Sequence, residues 1–68
     1  MDLKLDIKKV QIKMAEQCLN RKDLSEKSGI NYRTLIQYLN GSRKAKTKMI
    51  GKIAVALNTD VTEIIESN

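Results

Sequence analysis

A chain of 68 residues is expected to form one domain, near the size below which a chain rarely folds alone, because so small a domain buries only ~60% of its unfolded surface. One cysteine and no histidine exclude an internal disulfide and a zinc site of ordinary ligand number, leaving well-packed helices, and help from a second subunit, to supply stability. The formal charge of +5 is uneven: residues 21–52 carry nine Lys or Arg against Asp23 and Glu26, a net of +7, while residues 53–68 carry Asp60, Glu63 and Glu66 with no base, and a basic block of this kind is the footprint of a polyanion binder.

Leu3, Leu5 and Ile7 alternate with polar residues, which predicts a short extended arm. Asp6 then caps a helix over about Ile7–Leu19, with Ile7, Val10, Met14 and Cys18 as its inward stripe and Ile12 off that stripe. On this reading Cys18 is a small buried hydrophobe. A second helix is expected over about Arg21–Lys27 and a third over about Tyr32–Leu39, followed by a basic loop from Gly41 to Lys46. The fourth, about Thr47–Leu57, places Ile50, Ile53, Ala54 and Leu57 at the spacing of one buried face. Asn58-Thr59 ends it. Asp60 and Glu63 then form a capping pair for a fifth helix through Glu66 that buries Val61, Ile64 and Ile65. No apolar run is long enough for a signal peptide or a membrane span, so a cytoplasmic protein is expected.

The segment from Asn20 to Gly41 is the most informative. Asn20 is suited to accept a bond from an orphan amide two or three residues on, and Leu24 points inward. Ser25 is small enough for a close helix crossing. Gly29 supplies the left-handed conformation that stops a helix, and Ile30 plugs the corner. Asn31 caps the next helix, in which Leu35 and Tyr38 share the inner face. Two helices joined by so tight a turn make a helix-turn-helix unit, whose second helix can be pushed into the major groove of DNA, although such a hairpin is purely structural in many small bundles. Tyr32, Arg33 and Gln37 fall on the opposite face, where a duplex would lie.

The order Leu19-Asn20, Leu24-Ser25, Ser28-Gly29-Ile30, Thr34-Leu35, Leu39-Asn40-Gly41, Lys52-Ile53-Ala54 and Ala56-Leu57-Asn58 resembles the Cro/CI, or XRE, family of lambda-repressor-like DNA-binding domains, over roughly residues 7–65. The resemblance implies an all-α, five-helix fold and a phage or mobile-element regulator that binds palindromic operators as a dimer. With no room for the further domain of full repressors, the chain looks like a Cro protein. It also implies that Tyr32, Arg33 and Gln37 read base edges, Arg33 a guanine and Gln37 an adenine. Arg21, Asn31, Thr34, Asn40, Arg43, Lys44 and Lys46 look like backbone anchors that set register.

The sequence departs from the family pattern in places. Where many members pair an Arg in the first helix with a Glu near the end of the third, this chain has Met14 and Leu39, an apolar replacement that costs no stability. The two are expected to touch. Ile36 stands where a polar residue is common, and Gly51 sits inside the fourth helix, where it costs ~1 kcal/mol against Ala. A second reading is an antitoxin-like module that binds a protein partner through Leu3, Leu5, Ile12 and the acidic last helix, and binds DNA for autoregulation. An enzyme is disfavoured: there is no His, no Cys–base pair, no paired carboxylates on one face and no Gly-rich phosphate loop. No cofactor or metal is implied.

Overall fold

The computed structural model describes residues 3–66. Four α-helices follow one another: α1 (Ile7–Glu16), α2 (Arg21–Ser28), α3 (Tyr32–Leu39) and α4 (Thr47–Ala56). A single turn of 3-10 helix, Val61–Glu63, closes the chain. No strand is present among the described residues, only an isolated antiparallel bridge between Leu5 and Ile65.

Asp6 starts α1 as its sequence suggests, its Oδ1 accepting from the Lys9 amide at 3.1 Å. Val10 and Met14 are buried beneath the helix and Ile7 is half-buried, while Ile12 is about half exposed, at 49%. The helix stops three residues earlier than expected. Gln17 caps it and Cys18 takes a left-handed conformation, φ 55°. The Leu19 amide then reaches back to the Met14 carbonyl at 2.9 Å and the Cys18 amide to that of Ala15 at 3.1 Å. This paired closure satisfies two orphan carbonyls of the helix end. It also corrects the expectation for Cys18: beyond the last helical turn the stripe no longer applies, and the thiol is exposed.

Helices α2 and α3 form the tight pair. Asn20 and Asp23 bond reciprocally, Asn20 Oδ1 accepting from the Asp23 amide at 2.8 Å and Asp23 Oδ2 from the Asn20 amide at 3.0 Å. Gly29 ends α2 in the left-handed region, φ 72°, where an L side chain meets a Cβ penalty. The corner is held by Ser25 Oγ donating to the Ile30 carbonyl at 2.6 Å and by the Ile30 amide donating to Ser28 Oγ at 3.2 Å. Ile30 itself is buried. Asn31 Oδ1 accepts from the Arg33 amide at 2.9 Å and starts α3.

α2 packs against both α3 and α4. Val10, Leu24, Leu35, Ile50, Ile53, Leu57 and Ile64 lose all accessible surface in the core between the helices. Each such burial stabilises the fold by about 1.5–3 kcal/mol. Met14 and Leu39 belong to the same buried cluster, and no buried side chain is polar or charged among the described residues. α4 ends as α1 does, with Asn58 at φ 52° and the Thr59 amide returned to the Ala54 carbonyl at 3.0 Å. The two ends are joined, because the Gln17 side-chain amide donates to the Leu57 carbonyl.

The expected fifth α-helix is absent; the segment makes only three residues of 3-10 helix. Asp60 offers no side-chain cap, so the anticipated capping pair does not form. The cause lies at the other end of the chain. The Glu66 amide, which a helix would direct to Thr62, donates instead to the Lys4 carbonyl at 2.8 Å, and the Ile64 carbonyl accepts from the Asp6 amide at 2.8 Å. Pairing with the arm thus uses the groups that would extend a helix. Burial does follow expectation, with Ile64 in the core and Val61 and Ile65 packed against it. Leu3 and Leu5 also pack on that core.

Candidate nucleic-acid interface

The outer face of α3 is set by its inner one. Leu35, Tyr38 and Leu39 are buried, so residues a half-turn away must face solvent. Tyr32 is half exposed and Arg33 is exposed at the first turn, one turn before Gln37. Gln37 is only half-buried, because the following loop folds back over it. Thr34 and Ile36 are half-buried on the flanks.

Gly41 makes that return. At φ 82° it turns the chain past α3, and the Cβ it lacks would stand 3.7 Å from Ile7 Cδ1. The Arg43 amide then donates to the Gln37 carbonyl at 3.1 Å. Ser42 Oγ donates to the same carbonyl at 3.4 Å. The Arg43 guanidinium reaches the Gln37 side chain, Nη1 lying 3.4 Å from Oε1. Ala45 is buried and pins the loop, leaving Lys44 and Lys46 exposed on either side of it. With Thr47 and Leu3 they line an open groove beside the start of α4.

Arg21 comes to the same side from α2. It shares a shallow depression with Met14, Asn20, Lys22 and Tyr32, so a cation from α2 and the aromatic ring of α3 are neighbours. The sequence does not mark out Lys22 or Ser42. Their signal was weak: Lys22 is one lysine among many, and Ser42 acts through a loop whose path is set by Gly41.

A common pattern links the carboxamides. Asn31 Oδ1 accepts from the Arg33 amide, Gln37 Oε1 from Arg43 Nη1, and Asn40 Oδ1 from the Ser42 amide at 2.9 Å. Each oxygen is engaged by the chain itself, and each NH2 group remains as a donor. Together with Arg33, Lys44 and Lys46, this makes a surface rich in outward donors. Such a surface is chemically suited to phosphate oxygens and to acceptor-bearing base edges.

No helix among the described residues is long and apolar enough to cross a membrane. Neither a curated protein nor a solved structure gives a match. The family model described as Helix-turn-helix matches residues 10–64, from within α1 to the end of the core. The chain therefore belongs to the XRE, Cro/CI-like family of helix-turn-helix DNA-binding regulators.

Proposed function

We propose that this chain is a sequence-specific regulator of transcription, of phage or mobile-element type, that reads double-stranded DNA as a homodimer on a palindromic operator. The observation that carries the reading is the coincidence of an exposed Tyr32–Arg33 face on α3 with basic residues on both sides of it, Arg21 and Lys22 from α2 and Arg43, Lys44 and Lys46 from the loop. α3 enters the major groove, where Arg33 engages guanine O6 and N7 and Tyr32 and Gln37 meet neighbouring bases. Arg21, Asn31, Thr34, Asn40, Lys44 and Lys46 contact phosphates and set the register. The protein acts in the cytoplasm.

Selection of bound sites from randomised duplexes at physiological salt tests this. The expected product is an inverted repeat with half-site centres about one helical turn, ~34 Å, apart. A library with no enriched sequence would refute sequence-specific binding. With about six phosphates neutralised, affinity should also fall roughly a thousandfold between 50 and 200 mM salt.

A protein partner, with the chain acting as an antitoxin-like module, is supported by one observation. Ile12 is half exposed beside Lys9, Lys13, Thr62 and Glu63. Leu3 and Leu5 are half-buried against the core and each lines an open groove with its remaining surface.

A further inference from the structure

We infer that Arg43 is a specificity-determining residue that acts through Gln37, and that the pair selects guanine in place of the adenine a free glutamine would take. The inference rests on the reading of α3 as the groove-facing helix.

Three contacts carry it. The Gln37 carbonyl, an orphan of the α3 end, accepts from the Arg43 amide at 3.1 Å and from Ser42 Oγ at 3.4 Å. These bonds hold the backbone of Arg43 beside Gln37. From there the guanidinium reaches the side chain it must pass, placing Nη1 3.4 Å from Gln37 Oε1. Guanidinium carries donors only, so the Gln37 atom that meets it is the oxygen and the carboxamide cannot sit the other way round. Arg43 thus decides which end of Gln37 faces outward.

The consequence is chemical. Adenine pairs with glutamine by offering N6–H as donor and N7 as acceptor, which requires both ends of the carboxamide. Here the guanidinium takes one of the oxygen's two lone pairs and crowds the other with a donor, so adenine N6–H would meet donors at that oxygen, while the Nε2 donors remain. Guanine presents two acceptors, O6 and N7, on its major-groove edge, and these match an NH2 group flanked by the unused guanidinium N–H groups. A phosphate anchor at Arg43 would instead influence every sequence alike.

The test is site selection with the full chain and three proteins: wild type, Gln37→Ala and Arg43→Met. Gln37→Ala identifies the base pair that Gln37 reads, as the one position at which preference is lost. At that pair wild type should prefer guanine over adenine by roughly tenfold, within the discrimination typical of such contacts. Arg43→Met keeps the backbone bond and frees the carboxamide, and it should shift the preference to adenine at that pair alone. In the Gln37→Ala background, Arg43→Met should leave that position unchanged. An unaltered preference in Arg43→Met, with affinity lowered evenly for all sequences, would overturn the inference and leave Arg43 a phosphate contact. Absence of any enriched site with wild type would instead overturn the DNA reading on which it stands.

Discussion

The Gln17 side chain donates its amide hydrogen to the backbone carbonyl of Leu57, and so fastens the end of α1 to the end of α4. Both residues are the last before a left-handed turn, at Cys18 and at Asn58. The bond therefore satisfies a carbonyl at the point where α4 stops. Gln17→Ala should lower stability by about 1 kcal/mol, the net worth of such a bond. Gln17→Glu should cost more at neutral pH, because a carboxylate would face a carbonyl oxygen with no donor between them. Thermal denaturation of both variants checks the order.

Gly51 and Cys18 have backbones suited to the other's side chain. Gly51 lies within α4, and a Cβ there would meet nothing within 4 Å. Gly51→Ala should therefore stabilise by about 1 kcal/mol, raising the melting temperature by roughly 4–8 °C. Cys18 holds φ 55°, a region that disfavours any side chain. Cys18→Gly should raise the melting temperature, and Cys18→Val should lower it. An unchanged melting point in both would contradict the left-handed assignment.

Leu39 is buried in the same cluster as Met14, where related domains commonly carry an ion pair. Leu39→Glu should cost about 3–5 kcal/mol, as expected for a buried charge without a partner. In a domain this small that loss leaves little folded protein at 37 °C. Circular dichroism against temperature is sufficient to see it.

Asn31 has two tasks that one substitution can separate. Its oxygen caps α3 by accepting from the Arg33 amide, while its NH2 group faces out. Asp caps a helix as well as Asn does, so Asn31→Asp should melt close to wild type. It should nonetheless bind DNA more weakly, because a carboxylate oxygen would replace the outward donor. Equal affinity for the two proteins would remove Asn31 from the phosphate-contacting set.

Arg33 and Lys44 should behave differently on DNA. Arg33→Ala should relax the preference at one operator position, at a cost of about 1–3 kcal/mol. Lys44→Ala should weaken all sequences alike and reduce the salt slope by about one. Binding curves at several salt concentrations distinguish the two patterns.

Much of the fold was legible because its punctuation is local. Asn20, Gly29 and Asn31 act within three or four residues of themselves, and the expected α3, Tyr32–Leu39, coincides with the observed helix. Two features were not legible. The end of α1 depends on Cys18 adopting a conformation its residue type does not announce. The last segment loses its helix to Lys4 and Asp6, some sixty residues earlier in the chain, and no periodicity within residues 60–66 encodes that competition. The interface divides similarly. The outer face of α3 follows from helical spacing, whereas the Arg43–Gln37 contact depends on a loop reversal at Gly41 that spacing alone does not reveal.

The bonds between Lys4 and Glu66 and between Asp6 and Ile64 also bear on how the molecule can be rebuilt. They lay residue 4 alongside residue 66, so a short linker placed between these two residues would close residues 4–66 into a covalent circle without moving a helix. A circularised molecule has fewer unfolded conformations to lose on folding. The α2–α3 pair should keep its geometry in such a circle, since the join lies on neither helix, but it would stand beside Arg43 and Lys44, which share a groove with Lys4 and Glu66.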